Sequence, residues 1–395
     1  MVCCGEATTG WIEGDHGERI WRLPFPDLVL RASAVPKPEP STGSSPARSA
    51  GALAWLRRQV VAVRGYPDLW VAAEAQLVAV ASRVASELET GILYSTAPPI
   101  TAHRAALKVK TAFPRLIWVA EYRDPWIEPG SSRVRYSGTL MGGGARHLLR
   151  RLHRVSDAQV AVSGGIREWL EAGGCSDPLV ALNGIPPGTD GGAMRPFVPG
   201  AIRYVGEFYL GRDPTPFLAA LGELESGGLL PPACHVEFIG DVEQALGAST
   251  RSRINEHGLG ARVTLRPRVP HGVALEKINT AGLLLLLAQG QPTQIPNKLF
   301  EYLGTGRPIL AAVDHDGESH RMLQAAAAPV FILTERSSRE EWLDVVRRAV
   351  TASLTVPTAD AQEHSQIRDL RAEVQLSRVV ARCASLLGAV ARSSA

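Results

Sequence analysis

Residues 295–310 read IPNKLFEYLGTGRPIL, shortly after the apolar run Leu283–Leu287 (LLLLL). A short apolar run bounded by turn signals reads as a buried strand. Pro296 then opens a helix over Lys298–Leu303, capped by Asn297 or Thr293, and Gly304, Gly306 and Pro308 close it. Lys298 and Glu301 lie three apart and share a helix face. As an exposed surface pair they would contribute only roughly 0.2–0.5 kcal/mol and would need none of this punctuation. A helix that follows a buried strand starts at the ligand-binding edge of an α/β sheet. Free amides plus a lysine suit a diphosphate there, and a carboxylate one turn later suits ribose hydroxyls.

The surrounding chain has the rhythm this requires. Strands are expected at Ile92–Tyr94, Leu116–Ala120, Ala158–Val162 and Leu179–Leu182, with helices at Trp70–Leu88, Ala102–Thr111, Ala145–Val155 and Ile166–Ala172 between them. After a Pro/Gly-rich hinge at 186–200 the pattern restarts. Strands are expected at Ile202–Val205, Val236–Ile239, Val263–Leu265, Leu283–Leu287, Ile309–Val313 and Val330–Leu333. Helices are expected at Pro214–Leu224, Gln244–His257, Gly272–Thr280, Ser319–Ala326 and Arg339–Val350, and a last one runs over Ile367–Val390. Upstream, a strand is expected at Arg19–Leu23, a Pro/Ser-rich linker at 36–50 and a helix at Leu53–Arg64. The domains expected are 1–190, 200–365 and a C-terminal helix, 366–395, packing back on the first.

Bulk composition narrows the function classes. The chain has 395 residues, 45% hydrophobic and 21% charged, which fits two soluble domains. A net charge of +3 gives no electrostatic case for nucleic acid. Cys3, Cys4, Cys175, Cys234 and Cys383 have neither disulfide-framework nor zinc spacing, so reduced thiols in a cytoplasm are expected. Gly142-Gly-Gly144 follows no expected strand and reads as a loop. Arg146–Arg154 (RHLLRRLHR) reads as a basic amphipathic helix with Leu148, Leu149 and Leu152 inward.

PNKLFEYLGTGRPIL resembles the nucleotide-sugar site of GT-B glycosyltransferases of the family 4 type. Other segments follow in the same order as in that family. Ser95-Thr-Ala-Pro-Pro99…Ala102-His103 resembles its S-x-P-P-x-x-A-H turn, and WVAEYRDPW (118–126) resembles its W-V-A-D-F-R-D-P-W strand end. Val160-Ala-Val-Ser163, Asn183-Gly184, Val205-Gly206 with Gly211-Arg-Asp213, Arg268-Val-Pro-His271 and Asp316-Gly-Glu318 also fit, so the resemblance spans roughly 90–350.

The resemblance implies an α/β chain with the GT-B fold, two Rossmann-like doubly wound domains facing across a cleft. It implies transfer of a sugar from a nucleoside diphosphate sugar to an acceptor hydroxyl, with retention, without an obligatory metal and with no other cofactor. Carried over by position, Glu301 would hold the donor ribose, and Lys298 and Arg212 its diphosphate, with Asn297, Gly317 and Glu318 nearby. Asp124, Arg123 and His103 would serve the transferred sugar and the chemistry, and Ser95, Ser163 and Asn183 would line the acceptor side. Asp124 reads equally as half of a structural corner with Arg123, and His103 as a polar residue near a helix cap. The basic helix at 146–154 would touch anionic lipid or a lipid-linked acceptor at the inner membrane face.

Two departures qualify the match. The family often has a second Glu eight positions before the ribose-binding one; here that position is Thr293, leaving Gln291 or Gln294 for the sugar ring. The opening MVCCGEATTGW lacks the expected first strand and glycine turn, which would be absent, displaced or replaced by the N-terminal segment. These departures keep open a nucleotide-binding remnant acting as a partner subunit; a sugar-nucleotide epimerase on the same fold is a third reading.

Overall fold

The computed structural model describes residues 2–5, 10–13, 19–24, 66–68, 70–126, 141–187, 189, 196–209, 211–326, 328–355 and 368–394. The expected linker at 36–50 and helix at Leu53–Arg64 lie outside them, and the hinge at 186–200 lies partly outside. The chain divides into two compact units, Met1–Ala181 with Arg378–Ala395, and Leu182–Ser377.

In the first unit β1 (Val2–Gly5), β2 (Gly10–Glu13) and β3 (Arg19–Pro24) form a sheet of order β1-β3-β2. The elements that follow are α1 (Glu74–Ser86), β4 (Gly91–Ala97), α2 (Ile100–Ala112), β5 (Leu116–Tyr122), α3 (Met141–Val155), β6 (Ala158–Ala161), α4 (Gly164–Ala172) and β7 (Leu179–Val180). Strands β4-β5-β6-β7 form one parallel sheet in that order, separate from the N-terminal strands. The glycines at 142–144 are therefore the first turn of α3 rather than a loop. A first turn tolerates them because its N–H groups need no intrahelical partner, and Tyr66 Oη donates to the Gly144 carbonyl at 3.2 Å.

β5 sorts its side chains by period two. Trp118, Ala120 and Tyr122 face a core with Leu107, Leu149 and Ile166 from the helices. Ile117 and Val119 face the other way, against Val379 and Cys383 of the chain's last helix.

The second unit runs β8 (Ala201–Val205), α5 (Thr215–Ser226), β9 (His235–Ile239), β10 (Gln244–Ala245), β11 (Ala248–Ser249), α6 (Thr250–Glu256), β12 (Val263–Arg266) and α7 (His271–Asn279). It continues through β13 (Leu283–Ala288), α8 (Asn297–Thr305), β14 (Ile309–Val313), α9 (Glu318–Ala325), β15 (Val330–Leu333), α10 (Arg339–Ala352) and the start of α11 (Ala372–Ser394). Its six-stranded sheet is parallel, in the order β12-β9-β8-β13-β14-β15. Every side chain of β13 and β14 is buried, as a strand covered on both faces requires.

The helix expected at Gln244–His257 is shorter. Leu246 (φ 50°) and Gly247 (φ 77°) turn a two-stranded hairpin, and only Thr250 begins α6, capped by Ser249 Oγ. Successive positive φ values make the primed two-residue turn that antiparallel strands favour. At the other end of the unit, Ile185 exchanges backbone hydrogen bonds with Leu370 and Ala372. Gly184 there has φ 77°, and a Cβ would stand 2.6 Å from Ala372 Cα, so glycine is required.

Candidate active site

Strand order in the second sheet reverses between β8 and β13: later strands add beyond β8 on one side and beyond β13 on the other. Ligands of doubly wound sheets bind at the carboxyl ends of such a pair. The residues singled out above for the donor follow these strands. Arg212 follows β8, Lys298 follows β13 and Gly317 follows β14.

α8 starts at Pro296, which makes no side-chain cap bond, and ends at Gly306 in the left-handed region at φ 64°. Neither Asn297 nor Thr293 occupies the cap position. Asn297 is instead the first helical residue, and its Oδ1 accepts from Asn183 Nδ2 at 2.7 Å. The structure thus pairs one residue expected on the donor side with one expected on the acceptor side.

Lys298 is half-buried along its stem, and its Nζ is shielded with no hydrogen-bond partner among the described residues. The Nζ lies 3.8 Å from the centroid of the Tyr204 ring. A Cβ on Gly206 (φ 141°) would stand 2.9 Å from it, so glycine clears the space for the lysine tip. Burial holds the Lys298 pKa well below the usual lysine range; Arg212 lowers it further and Glu301 partly offsets both. The ring face favours the charged amine, but desolvation outweighs it.

Arg212 is buried, stacks 4.0 Å over the Tyr209 ring and donates to Tyr209 Oη at 3.0 Å. Its Nε is shielded without a hydrogen-bond partner among the described residues. Glu301 is half-buried, and burial raises its pKa against the lowering pull of His271 and Lys298. Two cationic side chains and a carboxylate therefore cluster at one helix N-terminus, with donor capacity that the protein does not use.

The amides expected to face the donor at α9 are engaged. Gly317 N–H donates to the Asp314 carbonyl at 3.1 Å, and Glu318 N–H to that of Pro292 at 2.8 Å. The Glu318 carboxylate pairs with Arg321. Asp314, which the sequence reading missed, accepts from the amides of Gly290 and Gln291 at 2.7 and 2.6 Å and so fixes the loop before α8. The Gln291 side-chain Nε2 is shielded with no partner among the described residues, whereas the Gln294 carbonyl accepts from Ser319 Oγ. Tyr204, also missed, was signalled only by its place two residues before Gly206.

Asp314-His315-Asp316 has the Asp-x-Asp spacing of many cation sites, which the metal-free expectation overlooked. Ligand atoms of His315, Asp316 and His320 lie within 4.8 Å of one another. His320 Nδ1, however, accepts the Asp316 N–H at 3.1 Å, so the neutral ring carries its proton on Nε2. Only His315 and Asp316 then offer ready lone pairs, and the Asp314 carboxylate is already spent on two amides.

In the first unit the expected site residues divide. Arg123 is exposed and Asp124 half-buried just past β5, with Arg123 N–H donating to the Ala97 carbonyl at 2.8 Å. Asp124 is engaged by neighbours within the chain. His103 is fully buried rather than near a helix-cap surface: its Nδ1 bonds Ser95 Oγ at 2.8 Å, and its ring packs edge-on 4.6 Å from Tyr122. Trp118 Nε1 donates to the same Ser95 Oγ at 2.8 Å. Burial lowers the His103 pKa to about 3, reinforced by His153 and only partly offset by the Glu121 backbone. Ser163, also fully buried, caps α4 by accepting from Ile166 N–H at 3.1 Å. Ser95, His103 and Ser163 are therefore core and cap residues that hold the edge carrying Arg123 and Asp124.

No family model and no curated protein matches the chain. Solved structures do. The chain is similar to the lipopolysaccharide outer core galactosyltransferase WaaB, with TM-score 0.52 and 16% identity over 78% of each chain. It is similar to HepE of Anabaena, solved with UDP and glucose, with TM-score 0.55 and 14% identity over 78% of this chain and 81% of that one. It is also similar to sucrose-phosphate synthase of Thermosynechococcus elongatus, with TM-score 0.58 and 12% identity over 96% and 86%. At these identities the likeness is one of fold: the chain has the GT-B fold, with two Rossmann-like units.

Proposed function

We propose that this protein is a glycosyltransferase that moves a sugar from a nucleoside diphosphate sugar to an acceptor hydroxyl. The observation that carries the reading is the unpartnered Nζ of Lys298, shielded between Tyr204 and Gly206 at the sheet's switch point beside Arg212. A diphosphate supplies the acceptors that this ammonium lacks. Lys298 and Arg212 stabilise the departing diphosphate, Glu301 holds the ribose, and Asn297 and Gln291 flank the sugar. HepE was solved with UDP and with UDP-glucose, which supports a nucleotide-sugar donor here.

The second unit is the donor-binding domain and the first the acceptor-side domain, with Arg123 and Asp124 as its candidate acceptor-side residues. Transfer proceeds with retention and needs no metal, in the family 4 manner. The acceptor belongs to glycan, cell-surface polysaccharide or glycosylated-metabolite synthesis. Contact of the 146–154 helix with a membrane or a lipid-linked acceptor is part of this proposal; among the described residues no helix is long and apolar enough to cross a membrane.

The test is release of nucleoside diphosphate from a panel of nucleotide sugars, with Lys298→Ala and Glu301→Ala compared for KM and kcat. Release lost or weakened by both variants supports the proposal; no release from any donor contradicts it. A second reading, nucleotide binding without transfer, is favoured by the engaged amides of Gly317 and Glu318. It predicts nucleotide binding without release.

A further inference from the structure

A cavity of about 420 Å³ opens in the first unit at the end of the parallel sheet opposite Arg123 and Asp124. Its walls come from the last turn of α3, the segment entering β6, the turn entering β7, and α11. Arg150, His153, Arg154 and Arg382 line it, with Asp157 and Asp177.

The charges do not cancel. Arg150 and Arg154 lie one helical turn apart, both exposed, with no ion-pair partner among the described residues. Asp157 is already occupied, accepting from Trp118 N–H at 2.7 Å and pairing with Lys110 at 2.7 Å. Asp177 pairs with one arm of Arg382 at 3.2 Å, while Arg382 Nε is shielded and without a partner.

His153 is only 8% exposed, and neither ring nitrogen has a hydrogen-bond partner among the described residues. Buried polar atoms left this way cost free energy unless something polar fills the space. Helix C-termini favour cations, so two arginines ending α3 could serve its dipole alone. Two of the last four carbonyls are already satisfied, however: Leu152 O accepts from Ser156 N–H and Oγ, and His153 O from Gln159 Nε2 at 3.0 Å.

We propose that this cavity binds a phosphate-type oxyanion, either inorganic phosphate or the phosphate end of a larger molecule, between Arg150, Arg154 and Arg382. Guanidinium forks match phosphate oxygens two at a time. The site lies in a different unit from Lys298, so it is independent of the donor site proposed above.

The experiment titrates inorganic phosphate and pyrophosphate into the full chain by calorimetry and thermal shift at low ionic strength. Lys298→Ala is compared with and without Arg150→Gln and Arg154→Gln, with circular dichroism as the folding check. The expected result is saturable binding in Lys298→Ala, weakened about tenfold or more when Arg150→Gln and Arg154→Gln are added to it. Phosphatidic acid vesicles that displace the bound phosphate would identify a lipid headgroup as the source; vesicles that leave it bound would identify a soluble one. Absence of saturable binding in Lys298→Ala, or binding in Lys298→Ala that survives the addition of Arg150→Gln and Arg154→Gln, overturns the proposal.

Discussion

Lys298 Nζ stands 3.8 Å from the centroid of the Tyr204 ring, shielded and without a hydrogen-bond partner among the described residues. Its folded-state pKa lies below the unfolded value because burial, and then Arg212, penalise the charged form. The unfolded chain therefore binds the proton that the folded chain sheds, and stability rises with pH between the depressed value and about 10.4. Lys298→Met is expected to remove that slope and to raise stability below it. Denaturant midpoints measured across pH for both proteins check this.

Anion binding should reverse the effect. A diphosphate beside Lys298 favours the ammonium, so binding takes up a proton from the buffer wherever the free protein's lysine is neutral. Calorimetry in two buffers of different ionisation enthalpy measures the uptake, and Lys298→Met should abolish it.

The Asn183–Asn297 bond is expected to couple the chain before Gly184 to the first residue of α8. Asn183→Ala, Asn297→Ala and the double variant should show an interaction of about 0.5–1.5 kcal/mol. Thermal unfolding of the four proteins gives the cycle; additive effects would mean that the bond carries no coupling.

His103 is expected to act on stability rather than on binding. Its pKa of about 3 lies below the ordinary 6.5. The unfolded state gains a proton first as pH falls, so stability is full above 6.5 and drains away toward 3. His103→Gln should lose stability at neutral pH by about 1–3 kcal/mol, flatten the acid limb and leave nucleotide affinity unchanged. Acid titration of unfolding, with nucleotide binding as the control, checks it.

Glu237 should also lose its contribution in acid. Burial pushes its pKa up, but hydrogen bonds from Arg266 (2.6 Å) and Arg203 (2.9 Å) outweigh that and hold it at about 2. Its contribution is present above about 4.5 and lost as pH falls toward 2. Glu237→Gln leaves Arg203 buried and uncompensated, and should cost about 3–5 kcal/mol by denaturant unfolding at pH 7.

Arg203 and Glu237 also mark where reading the sequence ran out. The strands of the second unit were legible because two-faced burial writes them as apolar runs, Leu283–Leu287 above all. Charges inside AIRYV and HVEFI carry no local sign that they face each other across β8 and β9. The motif around Lys298 was legible because its proline and glycines are backbone requirements, visible without neighbours. Burial is not visible that way: Ser95, His103 and Ser163 matched a motif, yet pack as core and cap residues. The helix expected from Gln244 failed because one Leu-Gly pair turned the chain into a hairpin.

The Lys298 site is expected to bind a nucleoside diphosphate through its phosphates. Calorimetric titration with the diphosphates and monophosphates of uridine, guanosine, adenosine and thymidine tests it most directly, on wild type and Lys298→Met. One diphosphate should bind, its monophosphate should bind about tenfold or more weakly, and Lys298→Met should remove the difference. No binding by any diphosphate, or a diphosphate preference that persists in Lys298→Met, would contradict it.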